Sequence, residues 1–214
     1  TYSLAGWFTA ASGGSQISTS TTITGNVTYY AHWNATYINY TITFNGNGGT
    51  NGASLTKHYG DALGTLPSSS RTGYTFLGWF TAASGGTKIS TSTICYGSIT
   101  YYAHWQINTY TVSVALDSTS AGRGSVSGGG NYNYGATATV TCSMSKTDDV
   151  FGGWYNGSTK VSDSLSYSFT VSASVSLTAL IYYIDVNPTS LDFEASGGTK
   201  TFTVSSNIDG WTIS

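Results

Sequence analysis

Charge is what this chain most lacks: Asp, Glu, Lys and Arg together make up 7% of 214 residues. Seven Lys plus Arg face nine Asp plus Glu, for a net charge of −2, and no run of like charge occurs. Nucleic acids and anionic membrane surfaces, which need clustered Lys and Arg, are therefore poor candidate partners, and no nucleic-acid partner is expected. Long apolar runs are missing too, since the longest are a few residues and a bilayer-crossing helix needs about 20; no membrane insertion is expected of this chain. The residues that carry helical surfaces are scarce or scattered, so helices are disfavoured. Only two cysteines are present, Cys95 and Cys142. They offer a disulfide in an exported protein, but Cys95 stands where an earlier copy of the same segment has Ile23, which favours a small buried apolar residue.

What fills the chain instead is Gly (27), Tyr (17), Trp (6) and abundant Ser and Thr. Thr, Val, Ile, Tyr and Trp suit a pleated, half-buried surface, and a mainly β fold is expected. Apolar residues recur with period two in Tyr40, Ile42, Phe44, in Val112, Val114, Leu116 and in Tyr167, Phe169, Val171. That is the pattern of half-buried antiparallel strands. Asn45-Gly46-Asn47-Gly48-Gly49 and Ser84-Gly85-Gly86 supply the positive φ that tight hairpins require.

The chain repeats itself. Residues 2–33 reappear at 74–105, and 22 of 32 positions are identical. The second copy runs complete from 39 to 105, whereas the first, 1–33, lacks an opening half. A divergent third copy spans 110–181, where Phe151-Gly152-Gly153-Trp154-Tyr155 matches Phe76-Leu77-Gly78-Trp79-Phe80. A unit of about 67 residues buries only about 60% of its unfolded surface, so large aromatics must supply much of its core. Trp7, Trp79 and Trp154 share one repeat position and Trp33 and Trp105 another. All five are expected in the core, the alternative being an exposed platform for stacking sugars.

No catalytic, cofactor-binding or metal-binding set emerges. His32 and His104 each precede a Trp, but strand alternation directs them to solvent, and 72 residues apart they do not readily share a metal. His58 has Lys57 and Asp61 nearby but no nucleophile motif. Asp148-Asp149 reads as a turn, with weak Ca²⁺ binding as the alternative, and Gly128–Gly135 lacks the Gly-Lys-Ser/Thr ending of a phosphate loop. The candidate ligand-facing aromatics are Tyr30, Tyr102, Tyr132 and Tyr134.

The segments Tyr59-Gly60 to Leu66-Pro67, Arg71 to Phe80 and Tyr102-Ala103-His104-Trp105 together resemble the Listeria-Bacteroides repeat, also called the internalin B-repeat. The resemblance implies tandem β-grasp-like modules in surface or secreted bacterial proteins, with a spacer or adhesive role and no active site. Residues 110–181 look like the divergent form, although they lack the Leu-Pro element and the terminal Trp. The tail, 184–214, with Leu191, Phe193, Phe202, Val204 and Trp211, looks like the start of a BACON domain, an immunoglobulin-like sandwich family associated with gut Bacteroidetes and with carbohydrate or mucin binding. Its 31 residues are too few to close a sandwich core, so a hairpin over 191–204 is expected to pack on a neighbour or drive self-association. The resemblance thus implies an extracellular location at the bacterial surface, and two roles stay open: a stalk, or an adhesion module for host glycans, mucin or a host protein.

Overall fold

The computed structural model describes residues 2–187, 189–192 and 197–209. Among these residues it contains sixteen β-strands, one short 3₁₀ turn and no α-helix. The chain forms two compact units, one of residues 1–72 with 76–106 and the other of 73–75 with 107–214.

The first unit opens on a two-stranded hairpin, β1 (Tyr2–Phe8) and β2 (Tyr30–Ala35). It continues as a four-stranded sheet of β3 (Asn39–Asn45), β4 (Gly52–His58), β5 (Tyr74–Phe80) and β6 (Ile99–Ile107). The order is β4-β3-β6-β5. The central pair is parallel, with Ile42 opposite Ile99 and Phe44 opposite Tyr101. This is a β-grasp arrangement whose crossing helix is replaced by loops. Ile42 and Phe44 point inward while Thr41 and Thr43 stay exposed, as the period of two requires. The face they form is covered by Leu63 and Leu66 from the loop after β4, and by Ile89 and Cys95 from the loop after β5. At the centre lies Trp79, 1% exposed. Its ring meets Phe44 and Phe76 edge-on at 4.9 and 5.3 Å, and its Nε1–H donates to the Pro67 carbonyl at 2.8 Å.

Trp7 and Trp33 correct the expectation of five buried tryptophans: they are 49% and 59% exposed. The cause is local. In the second copy, the matching face is covered by β3 and the Leu63–Pro67 loop, and the first hairpin has no counterpart of either among the described residues. Trp105 is half-buried, with its Nε1–H donated to the Gly46 carbonyl at 2.9 Å.

The second unit has a five-stranded sheet and a three-stranded one. The first holds β7 (Thr109–Leu116), β9 (Gly130–Asn133), β11 (Val150–Asn156), β12 (Thr159–Ser162) and β14 (Val175–Tyr182), in the order β12-β11-β14-β7-β9. Here β14 and β7 are the parallel central pair, and β9-β7-β14-β11 repeats the order of β4-β3-β6-β5. The divergence lies in the cover. In place of loops there is a second antiparallel sheet of β8 (Gly124–Ser127), β10 (Thr137–Met144) and β13 (Ser166–Thr170). Val140 and Cys142 from that sheet enclose Trp154 together with Val112, Leu177 and Ile181 from the first. A sheet lid dispenses with the Leu-Pro loop that the third copy lacks.

The tail forms a hairpin of β15 (Ile184–Asn187) and β16 (Thr203–Ser206), not one beginning at Leu191. It is tied to the rest of its unit by the Asn207 side chain, which donates to the Ile181 carbonyl at 2.7 Å and accepts from the Tyr183 N–H at 3.0 Å. Phe193 and Trp211, on which part of the tail's resemblance rests, lie outside the described residues.

One glycine position recurs with a structural reason. Gly6 and Gly153 mark register shifts in their strand pairs, at φ +147° and +121°, and Gly78 occupies the same repeat position at φ +125°. The Trp that follows is buried in the second and third copies, as Trp79 and Trp154. A Cβ on Gly78 would fall 2.5 Å from Lys88 Cε, which a flexible lysine can vacate, so the backbone conformation is the larger cost. Gly78→Ala is expected to destabilise the second repeat by about 1–3 kcal/mol, read as a lower urea midpoint with unchanged m-value.

Candidate functional site

The histidines are structural. His32 and His104 do not project to solvent as strand alternation suggests; each is half-buried and lies flat on a phenylalanine. The pairs are His32 on Phe8 at 4.0 Å and His104 on Phe80 at 3.9 Å. Each Nε2 stands 2.9 Å from a carbonyl oxygen, that of Ala10 or Ala82. A carbonyl only accepts, so each Nε2 carries the proton and pins the loop after β1 or β5 to the neighbouring strand. His104 also lines an open hollow of about 350 Å³ with Asn47, Arg71 and Trp105. Among the described residues no three His, Cys, Asp or Glu side chains converge to hold a metal ion.

Of the tyrosines singled out by strand position, only Tyr30 is exposed. Tyr102, Tyr132 and Tyr134 are half-buried, and the Tyr132 hydroxyl donates to the Gly128 carbonyl at 2.8 Å. Other exposed aromatics of the first unit lie outside its strands, at Tyr37, Tyr59 and Tyr96. Tyr59 and Tyr96 are 67% and 69% exposed and meet edge-on at 5.5 Å. Tyr37 lies 5.0 Å from the His58 ring. Tyr2, Tyr37, Ile38, Tyr40, His58 and Tyr59 line an open groove of about 330 Å³. Beside it the Asp61 carboxylate accepts from the His58 backbone N–H at 3.0 Å and approaches His58 Nδ1 at 3.2 Å. The backbone bond, foremost, holds the Asp61 carboxyl below its ordinary range. Flat rings beside hydrogen-bonding polar groups are what a sugar or an aromatic side chain would need. Period-two reasoning could not find these tyrosines, because turns have no period. The available signal was Tyr next to Gly, in Tyr59-Gly60 and Tyr96-Gly97, where a turn leaves the ring no core to enter.

Asp149 is not a turn residue open to calcium. It is buried against Arg123, whose Nη1 donates to Asp149 Oδ1 at 3.3 Å. The same guanidinium takes Asp185 in a two-pronged contact, through Nη1 at 3.2 Å and through Nη2, and lies 3.5 Å over the Tyr183 ring. Lys146 Nζ adds a bond to Asp185 at 2.9 Å. The cluster binds the tail to the third repeat and engages its charges internally.

Cys95 and Cys142 are both buried and both free. They belong to the cores of different repeats. Burial pushes the Cys142 thiol above its ordinary value, which lowers its thiolate fraction further. Both thiols are expected to resist an aromatic disulfide reagent at pH 8 in the native protein and to react fully in guanidinium.

Comparison with known proteins agrees with this architecture. The model of the Listeria-Bacteroides repeat domain matches residues 1–32 and 40–104, and the model of the divergent InlB B-repeat domain matches 114–181. A protein of Evansella cellulosilytica described as a membrane protein is 36% identical over 101 residues, covering 46% of this chain and 15% of that protein. Internalin H of Listeria monocytogenes is 33% identical over 111 residues, covering 50% of this chain and 20% of its own length. The chain therefore spans a fifth or less of these relatives. No solved structure matches. With matching repeats in the same order along the chain and the same sheet order in the full and divergent copies, this protein belongs to the Listeria-Bacteroides repeat family and is built of internalin-type B-repeat domains.

Proposed function

We propose that this chain is a non-enzymatic spacer in the extracellular part of a bacterial surface protein, holding other domains at a distance. The observation that carries this reading is that each of the two units closes its own aromatic core, around Trp79 in one and Trp154 in the other. His32, His104 and Asp149 are engaged in internal contacts. Similarity to internalin H supports a surface setting. The tail's sequence resembles an immunoglobulin-like BACON module, which fits a series of extracellular modules. A glycan and mucin array with the isolated chain tests the spacer role: background-level binding throughout is expected, and saturable binding to any glycan class overturns it.

A second reading, adhesion, is favoured by the exposed Tyr59–Tyr96 pair and the Tyr37–His58 contact beside it. On this reading any array signal falls at least about tenfold, or about 1.4 kcal/mol, in Tyr59→Ala/Tyr96→Ala. It stays unchanged in Tyr102→Ala, whose ring is half-buried.

A further inference from the structure

The chain enters and leaves the second and third repeats through neighbouring strands that run the same way. In the second repeat these are β3 and β6, parallel from the pair Ile42–Ile99 to the pair Asn45–Tyr102. In the third they are β7 and β14, parallel from Val112–Val175 to Leu116–Ala179. Tension carried through the chain draws β3 back toward Asn39 and β6 forward toward Ile107. The two strands are then pulled past one another, and every bond between them is loaded together. In the β15–β16 hairpin, by contrast, Ile184 and Ser206 stand opposite each other, and the same tension opens the pairs one at a time.

Both parallel ladders are closed at each end by bonds outside the strand pairing. Upstream, a serine hydroxyl does this at the same place in each: Ser98 Oγ accepts from the Thr41 N–H at 3.0 Å and Ser174 Oγ from the Thr111 N–H at 3.1 Å. Downstream the means differ. In the second repeat the Ala103 carbonyl accepts from Asn47 Nδ2 at 3.0 Å, and the Gly46 carbonyl from Trp105 Nε1 at 2.9 Å. In the third the Ala179 carbonyl accepts from the Asp117 N–H at 2.8 Å. There the Ser120 hydroxyl, 0% exposed, also accepts from the Ile181 N–H at 2.8 Å and donates to the Ile181 carbonyl at 3.0 Å.

We infer that the second and third repeats are load-bearing clamps, built to resist tension applied along the chain by shear between their entry and exit strands. Ser98, Ser174 and Ser120 lengthen the clamps. This rests on the spacer reading, under which the chain transmits tension between the domains it separates. The third repeat is the stronger of the two, with five paired positions against four and the buried Ser120 link beyond them.

The test stretches the full chain in an optical trap from handles at Thr1 and Ser214. It then stretches the same chain from thiol handles at Thr41→Cys/Tyr96→Cys in the second repeat, or at Thr111→Cys/Ser172→Cys in the third. These four positions are exposed, while Cys95 and Cys142 are buried, so the introduced thiols take the handles. Each new pair straddles the upstream end of its ladder and opens the same two strands from one side. From the chain ends, two late steps are expected, each lengthening the chain by about 200 Å or more at about 3.4 Å per residue. The step of the third repeat comes at the higher force, and Ser120→Ala lowers that step alone. From the internal handles each repeat is expected to yield at a force at least about twofold lower at the same pulling speed, because forced unfolding reads the barrier along the direction pulled. Equal forces in the two directions overturn the proposal. So does an equal drop when the handle variants are pulled from the chain ends, since lost stability would then be the cause. The glycan array decides the spacer reading and the direction of pulling decides the clamp, so the two fail separately.

Discussion

Trp79→Ala is expected to unfold the second repeat at 37 °C, while Trp7→Ala, the same substitution at the same repeat position, leaves stability nearly unchanged. Removing a fully buried Trp costs about 3–5 kcal/mol through lost transfer energy and the cavity left behind. A module of this size sits near the lower end of the about 5–15 kcal/mol available to a small domain. Trp79 is 1% exposed and packs on Phe44 and Phe76, and its truncation also orphans the Pro67 carbonyl. Trp7 is 49% exposed, so truncation removes surface that water already reaches, and the expected cost is below about 1 kcal/mol. Six tryptophans make bulk fluorescence ambiguous, and amide exchange resolved by peptide is the measurement. Protection should collapse across 39–105 and persist across 110–181 in Trp79→Ala. A Trp7→Ala variant as damaged as Trp79→Ala would show that the first hairpin is covered after all.

The contrast between these two tryptophans also marks how far the sequence is legible. Period two marked Ile42 and Phe44 as the inward set of β3, and the structure finds one sheet order in the second and third copies, since both keep their apolar faces. Alignment alone could not say that Trp7 is bare, since burial belongs to the whole module and not to the residue. Nor could it find β8, β10 and β13 as a lid, because the third copy solves the covering problem with strands where the second uses loops around Leu63 and Pro67. The histidines escaped for a related reason. Alternation gives the side of the strand on which His104 stands, but Phe80 lies on that same side and shields it. The Tyr59–Tyr96 surface and the Arg123 cluster are tertiary: their members are tens of residues apart, and no spacing rule joins them.

Arg123→Met is the second substitution expected to have a large effect, and it acts on the tail as well as on the third repeat. The guanidinium and Asp149 are both buried, so removing the cation leaves a carboxylate without compensation in a poorly solvated place. Breaking such a pair costs about 3–5 kcal/mol, although replacing both partners by apolar residues is often neutral. Asp149 Oδ2 already lacks a hydrogen-bond partner, so this anion depends on Arg123 more than a fully satisfied one would. The double variant Arg123→Met/Asp149→Leu is therefore expected to recover most of the loss in urea denaturation, whereas Asp149→Leu alone is intermediate. Asp185 is the partly exposed arm of the cluster and adds a pH dependence. The bonds from Arg123 and Lys146 hold its carboxyl below the ordinary value, so ionisation is favoured in the folded state. The resulting stability is complete above the unfolded value of about 4 and is lost as pH falls through the lower folded value. The stability difference between the native chain and Asp185→Asn should accordingly be flat from pH 5 to 7 and shrink below about pH 4. In parallel, exchange across β15 and β16 should quicken in Arg123→Met even where β7 and β14 stay protected, because the hairpin loses its charged anchor and keeps only the contacts around Tyr183, Asn207 and Ile181. Equal exchange in the hairpin with and without Arg123 would assign the tail's attachment to those neutral contacts alone.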